Sequence, residues 1–488
     1  MSQFINLGSG DIRDNVILNI AHLNITTPGH APGAHTFYLL QSEIKSYRTD
    51  PLAAHVVYEA MHDSGEVNEQ GHCYPGTRVL VQQVIKRWVD DRHPDFLITG
   101  LLGAAGAGKS AIMRTVAKTL DAQGLLLGSF FCLRGSTRRN DAQLVIPTLV
   151  DQIIQHVPSL HAIVQQAFDD TPGLLSKTMK LQATRLIIEP LNSVEPSERD
   201  EMPHVILLDG LDEINGVPAQ QEILKLLAFI NDCLVFPLHI LIASRPEPPI
   251  REAFDEHMGR HWTPLDLDGN FKPDEDIHIF YVAHFRDIRE RHPHLKLASA
   301  WPGDAVRRKL VVKGSGQFIF ASVVVAVVGD PTSTFSPQER LDIILEVVKR
   351  NDLRPLERLD LLYVSVFHQI PEADRAEVLL LLAIILKIGS PDFRTPQCLD
   401  AVFCYPSGTT RQRLRHLHSV LEIPKEDDGE FRSLHATLGD FVFDKSRSER
   451  FLCHVDKTVM EEEFYVRLVR SVLTDAPRIV GEYSHFGP

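Results

Sequence analysis

Short unbroken apolar runs alternate along this chain with stretches in which apolar residues recur every three or four positions. The first kind reads as strands buried on both faces, the second as helices laid over them. Phe96 to Leu102, Leu125 to Phe131, Val205 to Leu208 and Leu238 to Ser244 are strand-like. Between them, Ile112, Val116 and Leu120 share one helical face ahead of a stop at Gly124, and helices are predicted over Ile146 to Val157 and Gln221 to Val235. Strands alternating with helices predict an α/β fold with a parallel sheet covered on both faces. The longest apolar runs, Phe318 to Val328 and Val378 to Leu386, fall short of the roughly 20 residues a membrane span needs, so both are expected to be buried helices. The N-terminal "DNVILNIAHLNITT" is apolar with interspersed Asn and His; a short hairpin or floppy leader is preferred there over a self-associating β motif.

Composition narrows the class. A chain of 488 residues has room for roughly three domains. Its net charge of −14 argues against a nucleic-acid or anionic-membrane partner, which would want basic patches. The six cysteines are scattered without a CxxC pair, and the first residues lack a secretory pattern. Reduced thiols and a cytoplasmic location are therefore expected. No repeat of 20 to 50 residues is visible.

The chemistry gathers at the ends of the strand-like runs. Gly103-Ala104-Ala105-Gly106-Ala107-Gly108-Lys109-Ser110, followed by Ala111, fits G-x-x-x-x-G-K-[ST] between a strand and a helix, the context that makes the motif a phosphate-binding loop. Backbone amides there can turn toward phosphates at the positive end of the helix dipole. Lys109 is positioned to reach the β- and γ-phosphates, and Ser110 to ligate Mg²⁺. In "HVILLDGLDEI", three carboxylates crowd the end of a buried run, an arrangement that calls for a cation. Asp209 is the expected Mg²⁺ ligand. Asp212 and Glu213 follow near the γ-phosphate, with Glu213 preferred as the base for water. Arg245, closing the Leu238–Ser244 strand, is the candidate γ-phosphate sensor. No N-K-x-D motif is present, so ATP is preferred over GTP.

With its small residue after the magnesium aspartate and two acids just beyond, "VILLDGLDE" resembles the NACHT class of signalling P-loop ATPases, the STAND group. The stretches "CYPGTRVLVQQVIKRWV", "GSFFCLRGSTRRNDAQLVIPTLVDQI", "LIASRPEPPIREAF", "GSGQFIFASVVV", "RLDLLYVSVF" and "SLHATLGDFVFD" are similar to the fungal NLR-like members with a nephrocystin-3-like NACHT region. The resemblance runs roughly from Cys73 to Cys453. It implies a leader over 1–70, a nucleotide-binding domain over 71–270, an all-α helical domain over 271–350, a winged-helix domain over 351–456 and a tail over 457–488. It further implies that Thr77 and Arg78 lie beside the adenine or ribose, and that His435 touches the β-phosphate of ADP and locks a closed state. Two features depart from the pattern: Gly100 stands where the strand before the loop usually carries an aromatic, and "GSGQF" is at best a variant of the adenine-contacting motif. Full-length relatives usually carry an effector and a repeat sensor, neither of which is obvious here.

The expected function is an ATP/ADP switch in fungal NLR-like signalling, in a self/non-self response or regulated cell death. Weak Mg²⁺-dependent ATPase activity would reset it, and the ATP state would self-associate and engage a signalling protein. The alternative is a non-catalytic scaffold that holds nucleotide permanently. A small-molecule kinase fits poorly, since no substrate-binding signature accompanies the loop.

Overall fold

The computed structural model describes residues 51–482 apart from 70, 92–94, 135, 200, 259–261, 268–270, 332, 348–354, 369, 389–390, 434–435 and 450–452. The expectations for the leader's "DNVILNIAHLNITT" and for His435 lie outside the described residues. From His55 onward the chain forms one compact unit.

Five strands form where the apolar runs lie: β1 Ile98–Leu102, β2 Leu126–Phe131, β3 Val205–Asp209, β4 His239–Ser244 and β5 Trp262–Asp266. They make one parallel sheet in the order β2-β3-β4-β1-β5. β1 to β4 are buried along their whole length, which is why their sequences show no apolar–polar alternation. β5 was not among the expected strands. It is a half-exposed edge strand, and only such an edge tolerates Pro264. It also explains Gly100. A Cβ there would lie 3.1 Å from the Trp262 ring, which stacks on Phe254 at 4.5 Å. The aromatic missing from β1 is supplied by its neighbour.

Helices α1 Val79–Asp90, α2 Lys109–Ala122, α3 Val145–His156, α4 Val217–Cys233 and α5 Pro248–Met258 accompany the sheet. Ile112, Val116 and Leu120 are buried together on α2, as their spacing predicts, beside Val81 and Ile85 of α1. In register, Phe131 is opposite Asp209, Asp209 opposite Ala243, and Leu102 opposite Ser244. The carboxyl ends of β1 to β4 therefore line up on one edge, the usual ligand edge of an open α/β sheet.

Four helices follow: α6 Pro273–Arg291, α7 Asp304–Gly314, α8 Phe318–Val328 and α9 Pro337–Val347. Then come α10 Pro355–Phe367, α11 Glu372–Lys387, α12 Pro396–Val402, the antiparallel pair β6 Leu421–Glu422 and β7 Arg432–Ser433, and α13 Ala436–Phe443. The two apolar runs are buried in α8 and α11 as expected. One core joins them, from Ile277 and Tyr281 through Phe320, Leu362 and Leu381 to Phe441, Met460 and Phe464. The last two belong to α14, Lys457–Glu482, so the segment expected as a tail begins as a packed helix. Among the described residues no helix is long and apolar enough to cross a membrane.

Candidate functional site

The loop from Gly103 to Gly108 joins β1 to α2. Gly106 and Gly108 have φ of +80° and +89°, a region costly for any residue with a Cβ. At Gly106 a Cβ would also sit 2.1 Å from the Ile319 side chain. The close approach arises because the Ile319 amide, at the start of α8, donates to the Gly106 carbonyl at 3.2 Å. The "GSGQF" segment thus meets the loop directly.

Lys109 opens α2 and folds back, its Nζ donating to the carbonyls of Gly103 (2.7 Å) and Ala104 (3.1 Å). Burial lowers its pKa, against the opposing pull of Asp212. Arg78 is almost fully buried, donating at 2.6 Å to the Ala107 carbonyl and lying 4.7 Å from the centre of the Phe318 ring. It braces the loop from behind. The Thr77 hydroxyl is taken up by the Tyr74 carbonyl at 2.7 Å, inside its own turn. Ala105 faces the cleft, and the Ala111 carbonyl accepts from Thr115 within α2.

Asp209 ends β3, buried, with the Ser110 hydroxyl bonded to its carboxyl. Burial raises its pKa, opposed by that hydroxyl, by Arg114 and by Lys109. Its Oδ1 is buried and has no hydrogen-bond partner among the described residues. A buried carboxylate oxygen left orphaned beside a hydroxyl and a phosphate loop is what a Mg²⁺ site would provide, so the residues fit the ion. Among the described residues no group of three or more His, Cys, Asp or Glu is placed to hold a metal by itself.

A single helical turn, Leu211–Glu213, follows and sends the next two acids apart. Asp212 turns toward β4. Its Oδ1 accepts from the Arg245 amide at 2.9 Å, and its Oδ2 pairs with Arg245 Nε at 3.2 Å and with the Arg134 guanidinium at 3.6 Å. The Asp212 carboxylate is thus engaged by two arginines. Glu213 turns toward β2, where its Oε2 accepts from the Arg134 amide at 2.8 Å. Burial, with Asp212 adding repulsion, raises its pKa to about 7.

Arg245 leaves β4 beside Asp212. Burial works against its charge, but Asp440 and Asp212 outweigh it and lift the pKa. Ala105, Ser110, Asp209, Glu213, Arg245 and Asp440 border one cavity of about 930 Å³. Arg134 and Asp440 were absent from the sequence-based candidates. Both lie within quoted family-like stretches, yet only the order of the strands and the placement of α13 bring them to the site.

The family model described as Nephrocystin 3, N-terminal, matches residues 76–245. The vegetative incompatibility protein HET-E-1 of Podospora anserina is 23% identical over 399 residues, covering 80% of this chain and 26% of that protein. The chain thus spans about a quarter of that relative's length. Among solved structures, a Walker-type ATPase of Pyrococcus abyssi is 12% identical with a TM-score of 0.35, covering 76% of this chain and 97% of its own. The ADP form of the Aeropyrum pernix ORC2 protein is 13% identical with a TM-score of 0.29, covering 83% of this chain and 98% of its own. The segment that matches the family model holds the glycine loop, the acid-tipped β3 and the arginine after β4, and it is to the NACHT-type P-loop NTPases that this part of the chain is similar.

Proposed function

We propose that the chain is a nucleotide-dependent signalling switch that binds ATP and ADP with Mg²⁺ and hydrolyses ATP slowly. The observation that carries this reading is the convergence of Ser110, Asp209, Glu213 and Arg245 on one cleft beside the glycine loop. The loop amides at the start of α2 receive phosphate oxygens, and Lys109 exchanges its two loop carbonyls for them. Ser110 and Asp209 would hold Mg²⁺, which when bound neutralises charge developing on the transferred phosphoryl group. Glu213, poised near neutrality, orients water and takes its proton. Arg245 meets the γ-phosphate from the end of β4. Arg78 acts at one remove, bracing the loop that faces the nucleotide, and Thr77 precedes it beside the nucleotide.

Residues 351–456 are read as a winged-helix domain, a reading supported by α10 to α12, the β6–β7 pair and α13. His435 would touch the β-phosphate of ADP, closing the resting state. Exchange for ATP would release that contact and expose a surface for self-association and for a signalling partner. The Podospora anserina relative's name supports a place in self/non-self response or regulated cell death. The scaffold reading draws support from Asp440, which already satisfies Arg245. It predicts no turnover in the parent chain.

Glu213→Gln tests the assignment. ATP turnover with Mg²⁺ is expected to drop about 100-fold or more, the usual share of a general base, while nucleotide binding persists. Equal turnover in parent and variant removes Glu213 from the role.

A further inference from the structure

From α13, far along the chain, Asp440 reaches into the cleft and is held by two guanidiniums. Its Oδ1 accepts from Arg134 at 2.8 Å and its Oδ2 from Arg245 at 3.0 Å. The same two arginines share Asp212 on their other side. Two cations and two carboxylates close a neutral quartet. Three of its members, Arg134, Arg245 and Asp440, border the same cavity as Ser110, Asp209 and Glu213.

We infer that Asp440 occupies the place of a nucleotide γ-phosphate, and that Arg134 is a second γ-phosphate-binding residue beside Arg245. The inference rests on the switch reading and names how the site tells ATP from ADP. Two planar guanidiniums converging on one carboxylate form a receptor for an oxyanion. A γ-phosphate brings three acceptor oxygens and more charge than a carboxylate. It cannot share the arginines with Asp440, because like charges in a confined site repel strongly. ADP has no group to compete, so Asp440 stays and α13 stays with it. ATP displaces Asp440 and frees α13 from the sheet edge.

Arg134 ties this exchange to chemistry. Its guanidinium holds Asp440 while its amide fixes Glu213. When the side chain turns from Asp440 to phosphate, the amide beside it keeps the base in the cleft. Asp212 remains the constant partner that keeps both arginines in position.

The test compares binding of ADP and of a non-hydrolysable ATP analogue, each with Mg²⁺, by titration calorimetry on the full chain. Asp440→Asn is expected to tighten the ATP analogue about tenfold, the scale of one charge-assisted hydrogen bond, and to leave ADP unchanged. Arg134→Ala, which does not depend on the fate of α13, is expected to weaken the ATP analogue about tenfold and spare ADP. Arg413→Ala removes ion pairs to Asp374 (3.2 Å) and Glu377 (2.8 Å) in the helical body, away from the cavity, and should keep the parent's ratio. Asp440→Asn and Arg134→Ala each leaving the ATP-to-ADP ratio unmoved overturns the proposal. So does an equal shift in Arg413→Ala, which would mark general loosening. If the parent binds neither nucleotide in a Lys109-dependent way, the switch reading itself falls; if it binds both with an unmoved ratio, only the role of Asp440 and Arg134 does.

Discussion

Asp212 and Glu213 are neighbours in sequence with different work, and a single turn divides them. Asp212 is neutralised by Arg245 and Arg134. Glu213 accepts from the Arg134 backbone amide and stays close to the proton balance point, its pKa raised from 4.5 to about 7. The sign for stability follows. Below pH 4.5 Glu213 is protonated whether the chain is folded or not. Between 4.5 and about 7 the folded chain alone keeps the proton, so unfolding releases it and stability falls as pH rises. The slope from this group is at most about 1.4 kcal/mol per pH unit. In Glu213→Gln the nucleotide-free protein should lose that slope, seen as urea midpoints at pH 5 and pH 7 that differ less than in the parent. An unchanged difference would contradict the raised pKa. The motif pattern was enough to single out these acids, because three carboxylates at a buried strand end need a cation. It could not divide their labour, since that depends on a turn direction and on Arg134, a residue from another strand's end.

Elements show the same division. β1 to β4 were readable as strands because both faces are buried and the apolar run is unbroken. β5 was not, because Trp262–Asp266 carries a proline and polar residues that suit only an edge. Its presence accounts for Gly100, which departs from the aromatic usual at that place in the strand. The contact of α8 with the phosphate loop was also hidden, since no spacing rule places Ile319 on Gly106. It gives a sharp expectation. Gly106→Ala faces both the left-handed backbone and the Ile319 side chain, so stability should drop by at least about 1–2 kcal/mol and nucleotide affinity should fall with it. Adding Ile319→Ala should restore part of the loss by removing the collision, though not the backbone strain. Thermal melts of the three proteins with and without nucleotide would check this. A Gly106→Ala protein as stable as the parent would mean that the loop and α8 do not meet as described.

Across the whole molecule, the sheet edge faces a helical body whose single core runs from Ile277 to Phe464. Between them lies a cleft crossed by ion pairs between distant parts of the chain. Arg245 and Asp440 are one such pair, Arg432 and Glu66 another. The net charge of −14 did not reveal this, because it sums over the surface and says nothing of pairing inside a cleft. Such pairs are weak supports for a fold but well suited to a switch, since a competing anion can replace one partner without leaving the other bare.

The most direct measurement is the nucleotide released when the purified protein is denatured, set beside Lys109→Ala. The account predicts near-stoichiometric ADP from the parent and none from the variant. ATP retained unhydrolysed, or the same nucleotide content in both proteins, would contradict it.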